Sequence, residues 1–429
     1  MQSEMKKSNV EWLGEIPKSW EMERAKFNFS QSLERGNKTP ELLAATQKYG
    51  MYPQRLLEGV VQVMAGTDLQ QFKTVHKDDF VMSLRSFQGG FERSDYEGVC
   101  SPAYQVFRSN ERYDKNWLKW FFKSDMFIDA MNALTVGIRE GRNIKYDDFA
   151  NSILPLPPLP EQSAIASYLD EKCAAIDEII AEAKATIDEY KSWKASVIFE
   201  AVTKGLNPDA EMKDSGVEWI GMIPKDWKVI SLRYLGKCQN GISKDGEAFG
   251  SGFPFVSYTD VYKNIVLPGE ASRLVESTED ERERYSVKYG DIFFTRTSET
   301  IEEIGFSSVC LKTIDNATFA GFLIRFRPTN NKLYPEYSKY YFRSELQRRY
   351  FVKEMTLVTR ASLGQELLKS MPVILPPFET QQKIAAYLDE KCATIDGVIA
   401  EKEALIGELE SYKKSLIFET VTGKRRVAI

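Results

Sequence analysis

Two stretches of this 429-residue chain occur twice, and no other feature constrains the fold as strongly. Residues 5–20 and 212–227 are identical at 11 of 16 positions at an offset of 207. Leu156–Thr203 aligns without gaps on Leu375–Thr422 at an offset of 219, with 29 of 48 positions identical. Between the copies lie two segments, roughly 21–155 and 228–374, that share only faint echoes. Asp79-Phe-Val-Met82 echoes Asp291-Ile-Phe-Phe294, and Phe121-Phe-Lys-Ser124 echoes Tyr341-Phe-Arg-Ser344. A repeat of this length marks a structural unit used more than once. One scaffold carrying two diverged inserts implies one architecture applied to two different targets.

The longer repeated segment reads as a helix. In the first copy apolar positions fall at Ile165, Leu169, Cys173, Ile176, Ile180, Ala183, Ile187, Tyr190 and Val197, in steps of three or four up to Tyr190. In the second the corresponding positions are Ile384, Leu388, Cys392, Ile395, Ile399, Lys402, Ile406, Leu409 and Leu416, with a lysine at one of them. That spacing is close to a coiled-coil seam. Prolines stand at each start (Pro157, Pro158 and Pro160; Pro376 and Pro377) and none interrupts the interior, as helix geometry requires. Forty-three residues from 161 to 203 would form a rod of roughly 65 Å. Neither rod can bury its stripe alone, so the two are expected to pack on each other.

Composition narrows the function. The five cysteines (Cys100, Cys173, Cys238, Cys310 and Cys392) are scattered, which argues against a disulfide framework or zinc cluster and for a reducing cytoplasm. His76 is the only histidine, removing most metal sites and His-based acid–base schemes. No stretch approaches 18 apolar residues and the first nine residues are polar, so neither a membrane span nor a signal peptide is expected. Residues 161–203 carry a net charge of −5 and residues 380–422 a net of −3, whereas segment 21–150 is neutral and 228–378 is +3. Acidic helices repel phosphate, so any nucleic acid must meet the variable segments.

At this point the chain resembles the specificity subunit of type I restriction–modification systems over essentially its whole length. The resemblance is carried by Glu-Trp-(Leu/Ile)-Gly-x-Ile-Pro-x-x-Trp before each variable segment. It continues in Leu-Pro-Pro-(Leu/Phe), Gln162 or Gln381, and Ile-Ala-x-Tyr-Leu-Asp-x-Lys after it, with Gly98–Tyr104 and Gly290–Thr300 as internal elements. The resemblance implies an α+β fold: two α/β target-recognition domains separated by two long antiparallel helices forming a coiled coil, with an internal pseudo-two-fold repeat. The expected boundaries are 1–155 for the first target-recognition domain, 156–205 for the central helix, 206–374 for the second domain and 375–429 for the last helix. It implies a bipartite double-stranded DNA target, one half-site per domain. It also implies two modification subunits carrying an adenine methyltransferase, and motor-nuclease restriction subunits. S-adenosylmethionine and ATP are expected on those partners, and no cofactor on this chain.

The residues agree on what is missing. The nearest string to an amino-methyltransferase Asn/Asp-Pro-Pro-aromatic box is Leu375–Phe378, with leucine in place of the polar residue. A phosphate-binding Gly-Lys-Ser/Thr is absent too, since Gly236-Lys237 is followed by cysteine and Gly423-Lys424 by arginine. Asp177, Glu182 and Lys184, the best nuclease candidates, read better as a solvated helix face. The chain is expected to read DNA and not to act on it. The competing reading is a coiled-coil protein-binding scaffold without DNA recognition.

Base edges call for forked and amide donors, and phosphates for Arg, Lys, Ser and Thr on loops. In the first variable segment the candidates are Arg85, Ser86, Gln88 and Arg93, followed by Arg139, Arg142 and Asn143. In the second they are Arg296, Thr297 and Ser298, then Arg360 and Ser362, with Lys244, Ser257 and Tyr258 as weaker candidates. Glu299, Glu302 and Glu303 could accept from a cytosine amine. Trp117, Trp120, Phe121 and Phe122, like Tyr337, Tyr340, Tyr341 and Phe342, fall at helical spacing and read as core. Trp12, Trp20, Trp219 and Trp227 are expected to pin the lead-in to each variable segment.

Overall fold

A computed structural model of the chain describes residues 4–36, 41–46, 49–57, 69–83, 90–134, 144–298, 304–354 and 361–428. The chain forms two compact units. One comprises residues 1–184 and 403–429, the other residues 185–402.

Each unit is built on an antiparallel four-stranded sheet, and the strand order is the same in both. In the first unit the strands run Phe29–Ser32, Gln105–Ser109, Phe80–Met82, Phe91–Arg93 across the sheet. In the second they run Gly236–Asn240, Leu323–Pro328, Ile292–Thr295, Ser307–Val309. The central strands are short and buried on both faces, which is why they read as apolar runs without alternation. The second unit adds Phe249–Val256, paired antiparallel with Arg273–Val275 and parallel with Thr318–Phe319.

A buried carboxylate clasps each sheet at the start of its third strand. Asp79 and Asp291 are 2% and 1% exposed. Asp79 accepts from Arg108 Nε at 2.7 Å. Asp291 accepts from Arg327 Nε and Nη2, both at 2.6 Å. A forked guanidinium suits a carboxylate that has lost its water. The faint sequence echo around Asp79 and Asp291 is thus the same clasp built twice.

Two long helices, Leu159–Lys204 and Phe378–Val421, carry the repeated segment. Each follows a short strand, Ile153–Leu156 or Pro372–Leu375, paired antiparallel with the strand after the lead-in, Glu21–Arg24 or Lys228–Ser231. Pro160 occupies the first turn of the first helix, where no intrahelical N–H is lost. The helices pack together antiparallel. In the first unit Ile165, Leu169, Cys173, Ile176 and Ile180 share a core with Leu416, Ile417 and Val421, and Ile406 and Leu409 pack against it. In the second, Ile384, Leu388 and Cys392 share a core with Ala201 and Val202. Ile187, Ile395 and Ile399 are also buried. Lys413 Nζ meets Asp177 at 2.6 Å in the first unit, and Lys194 Nζ meets Asp396 at 2.6 Å in the second. Both lysines and both aspartates stand 219 residues apart, the repeat offset. Such exposed pairs contribute about 0–1 kcal/mol each and set register more than stability. Burial of the leucine and isoleucine seam, about 1.5–3 kcal/mol per side chain, holds the helices together.

The lead-in tryptophans lock the helix ends. Gly205 follows the first helix with φ +78°, and a Cβ there would lie 3.0 Å from the Trp227 ring. Gly423 follows the second with φ +71°, and a Cβ there would lie 2.4 Å from Pro17 Cγ and 2.9 Å from the Trp20 ring. Only glycine combines a left-handed helix stop with so close an approach. Trp117, Phe121 and Phe122, with Tyr337, Tyr341 and Phe342, are core residues.

Candidate nucleic-acid interface

The position of each variable unit on its helix is set by one glutamine. Gln162 and Gln381 are both fully buried. Gln381 Oε1 accepts from the Tyr334 N–H at 2.9 Å, while Nε2 donates to the Lys332 and Pro376 carbonyls at 2.8 and 2.9 Å. Gln162 repeats the pattern with the Asp114 N–H and the Arg112 and Pro157 carbonyls at 2.7, 3.0 and 2.7 Å. About two helical turns further on, Asp170 accepts from Trp120 Nε1 at 2.9 Å, and Asp389 from the Tyr340 hydroxyl at 2.6 Å.

At the other end of the clasped strand the second unit assembles a polar edge. Leaving Ile292–Thr295, the Arg296 N–H donates to the Phe322 carbonyl at 2.9 Å and the Arg296 carbonyl accepts from the Leu363 N–H at 2.7 Å. Thr297 and Ser298 then pair antiparallel with Ser362 and Ala361. The Tyr258 hydroxyl donates to the Thr297 carbonyl at 2.9 Å. Four candidate positions that lie far apart in sequence (Tyr258, Arg296, Thr297 and Ser362) therefore meet on one small ribbon. Arg296 is half-buried, Ser362 is exposed, and the Arg296 guanidinium makes no ion pair among the described residues. Beside the ribbon Gln365 Nε2 donates to Asn240 Oδ1 at 2.8 Å, and Phe322 projects with 64% of its surface exposed.

Other candidates are engaged within their own unit. Ser257 caps the helix Tyr258–Lys263 through a capping box with Asp260, and its side chain is buried. Lys244 pairs with Glu281 at 2.7 Å, and this lysine holds the Glu281 carboxyl below its ordinary range. Arg93 bridges Asp78 at 3.3 Å and Asp95 at 2.6 Å and also bonds Asn116, leaving its side chain 16% exposed. Arg85, Ser86, Gln88, Arg139, Arg142, Asn143 and Arg360 lie outside the described residues, as does the side chain of Ser298. Asn240, Gln365 and Phe322 escaped the sequence reading. Phe322 carries no polar group that would mark it as a DNA contact, and only the preceding Gly321, pressed against Ser243, signals the tight turn that exposes it.

Among the described residues no group of three or more His, Cys, Asp or Glu side chains could hold a metal ion, and no helix is long and apolar enough to cross a membrane.

Comparison with known proteins agrees with this duplicated plan. The family described as type I restriction modification DNA specificity domain matches residues 6–189 and again residues 224–405. The EcoKI type I restriction enzyme specificity subunit of Escherichia coli K12 is 25% identical over 332 residues, covering 76% of this chain and 68% of that protein. The MjaVIII specificity subunit of Methanocaldococcus jannaschii is 24% identical over 439 residues, covering 96% and 94%. Among solved structures, one from a study of complex assembly and conformational transition of the type I R-M system superimposes with a TM-score of 0.71 at 16% identity, covering 96% of this chain and 99% of that one. The HsdS subunit of Thermoanaerobacter tengcongensis gives 0.52 at 16% identity, covering 96% and 98%. With the specificity domain matched twice and most of its length covered, the chain belongs to the type I restriction–modification DNA specificity family.

Proposed function

We propose that this chain is the non-catalytic DNA-specificity subunit of a type I restriction–modification enzyme, each unit reading one half of a bipartite target. The observation that carries the reading is a framework kept in duplicate (the Asp–Arg clasp, the buried glutamine and the helix seam) around variable segments whose sequences differ. In the second unit the polar edge is the ribbon of Arg296, Thr297 and Ser362, braced by Tyr258. Arginine and hydroxyl groups are what base edges and phosphates accept. Equilibrium binding to duplex DNA carrying the full target, either half-site alone, or neither tests the proposal. Specific binding should require both halves and weaken steeply with salt. Equal affinity for all four duplexes would refute it.

Recruitment of two modification subunits belongs to the same proposal. Trp193 and Tyr412 occupy the same position in the two repeats and stand 52% and 49% exposed on the long helices. A large aromatic kept exposed at both copies suits one partner bound twice, since aromatic anchors dominate interface energetics. S-adenosylmethionine is then bound by that partner, which flips the target adenine from the duplex. Restriction subunits, with their ATP, join the same assembly.

A further inference from the structure

Among the described residues, the polar edge of the second unit displays the large apolar side chain of Phe322, and the fold keeps it there. Its carbonyl is held by the Arg296 N–H at 2.9 Å. On either side Gly321 N–H donates to Ile242 at 2.7 Å and Leu323 N–H to Ala320 at 3.0 Å, and Leu323 is fully buried. A Cβ on Gly321 would lie 2.4 Å from Ser243 Oγ, so the turn is pressed against its neighbour. The backbone is fixed, yet the ring remains 64% exposed. Burying a phenylalanine is among the larger single gains in folding, and it is forgone here. At the 219-residue offset that relates Arg108 to Arg327, the first unit has Ala103. The clasp is the same in both units, and this position before the other end of the strand is not.

We infer that Phe322 determines specificity for the second half-site by resting its ring against the C5 methyl of a thymine in the major groove. The inference rests on the DNA-reading role proposed above. Base edges in the major groove offer hydrogen-bond donors and acceptors and one apolar group, the thymine methyl. Arg296, whose N–H holds the Phe322 carbonyl, and the paired Thr297 and Ser362 supply hydrogen-bonding side chains on the same edge, and the methyl is the partner that a phenyl ring fits. A docking point for a protein bound by both units would keep its residue type in both. Phenylalanine against alanine is instead the pattern of two different targets.

The test uses the full chain with its modification subunit and target duplexes in which thymidines are replaced singly by deoxyuridine, which removes only the methyl. With the unaltered chain, one replacement in the second half-site should weaken binding about fourfold, or ~0.8 kcal/mol at 1.4 kcal/mol per tenfold. F322A should bind the thymidine duplex at least about fourfold more weakly and lose discrimination at that position alone. Alanine is the residue the first unit already has there, and an unchanged melting temperature confirms folding. A second half-site without thymine overturns the inference, as does an F322A chain that binds or discriminates like the unaltered one. Absence of sequence-specific binding by the unaltered chain would instead overturn the DNA-reading role itself, and the inference with it.

Discussion

Replacing Gln381 by alanine should loosen the second unit and leave the first intact. The side chain is fully buried and makes three hydrogen bonds, to the Tyr334 N–H and to the Lys332 and Pro376 carbonyls. Alanine strands one buried donor and two acceptors at the point where the variable unit meets its helix. A lost hydrogen bond costs about 1 kcal/mol net, and a stranded buried group about 1–3 kcal/mol. Three together place Q381A at about 3–5 kcal/mol. For a unit of this size, roughly 2–4 °C per kcal/mol makes that a fall of about 10 °C in melting temperature. The neighbouring Gln382 is exposed, so Q382A should stay within about 0.5 kcal/mol of the unaltered chain. Amide hydrogen exchange read by mass spectrometry localises the effect. Peptides from 185–402 should lose protection in Q381A, and peptides from 1–184 and 403–429 in Q162A. A Q381A chain as stable as Q382A, or equal loss of protection in both units, would refute the reasoning.

Other expectations are narrower. Burial raises the Glu92 carboxyl above its ordinary 4.5; the folded state therefore holds this proton more tightly than the unfolded state does. Stability should fall as pH rises from 4.5 through the raised value, and E92Q should gain on the unaltered chain across that window, measured by melts at each pH. Burial pushes the Cys100 and Cys310 thiols up to about 12, and Cys173 and Cys238 up to about 11. A thiol reagent at pH 8 should accordingly react slowly with the native chain and rapidly after denaturation. R296A should cost about 1–3 kcal/mol in specific DNA binding if the guanidinium spans a base edge, with first half-site preference unchanged. W193A and Y412A should each weaken capture of the modification subunit by about tenfold or more, read by titration calorimetry, without altering the melt.

Much of the framework was legible because it is written twice. The apolar steps from Ile165 to Ile187 and from Ile384 to Leu409 mark helix faces without reference to anything distant, and the prolines before them mark the starts. Gln162 and Gln381 stand out as motif residues, though two of the three partners of each, some 50 residues away, do not. The edge was less legible. Ser257 looks like any loop hydroxyl until Asp260, three residues on, is recognised as the other half of a capping box. Lys244 and Glu281, or Arg93 and Asp78, are joined by tertiary geometry that leaves no local mark. Helical aromatics such as Trp117 and Tyr337 obey the rule that apolar periodicity means core. Phe322 breaks it because the turn around Gly321 faces it outward, and only the assembled turn reveals that.

The central claim is that two units read two half-sites independently. It is tested most directly by sequencing methylated adenines in a host expressing the modification subunit with this chain, and again after residues 21–150 are exchanged for those of a relative. The account predicts a bipartite motif in which the exchange changes one half and leaves the other and its sequence intact. A motif in which both halves change, or neither does, would contradict it.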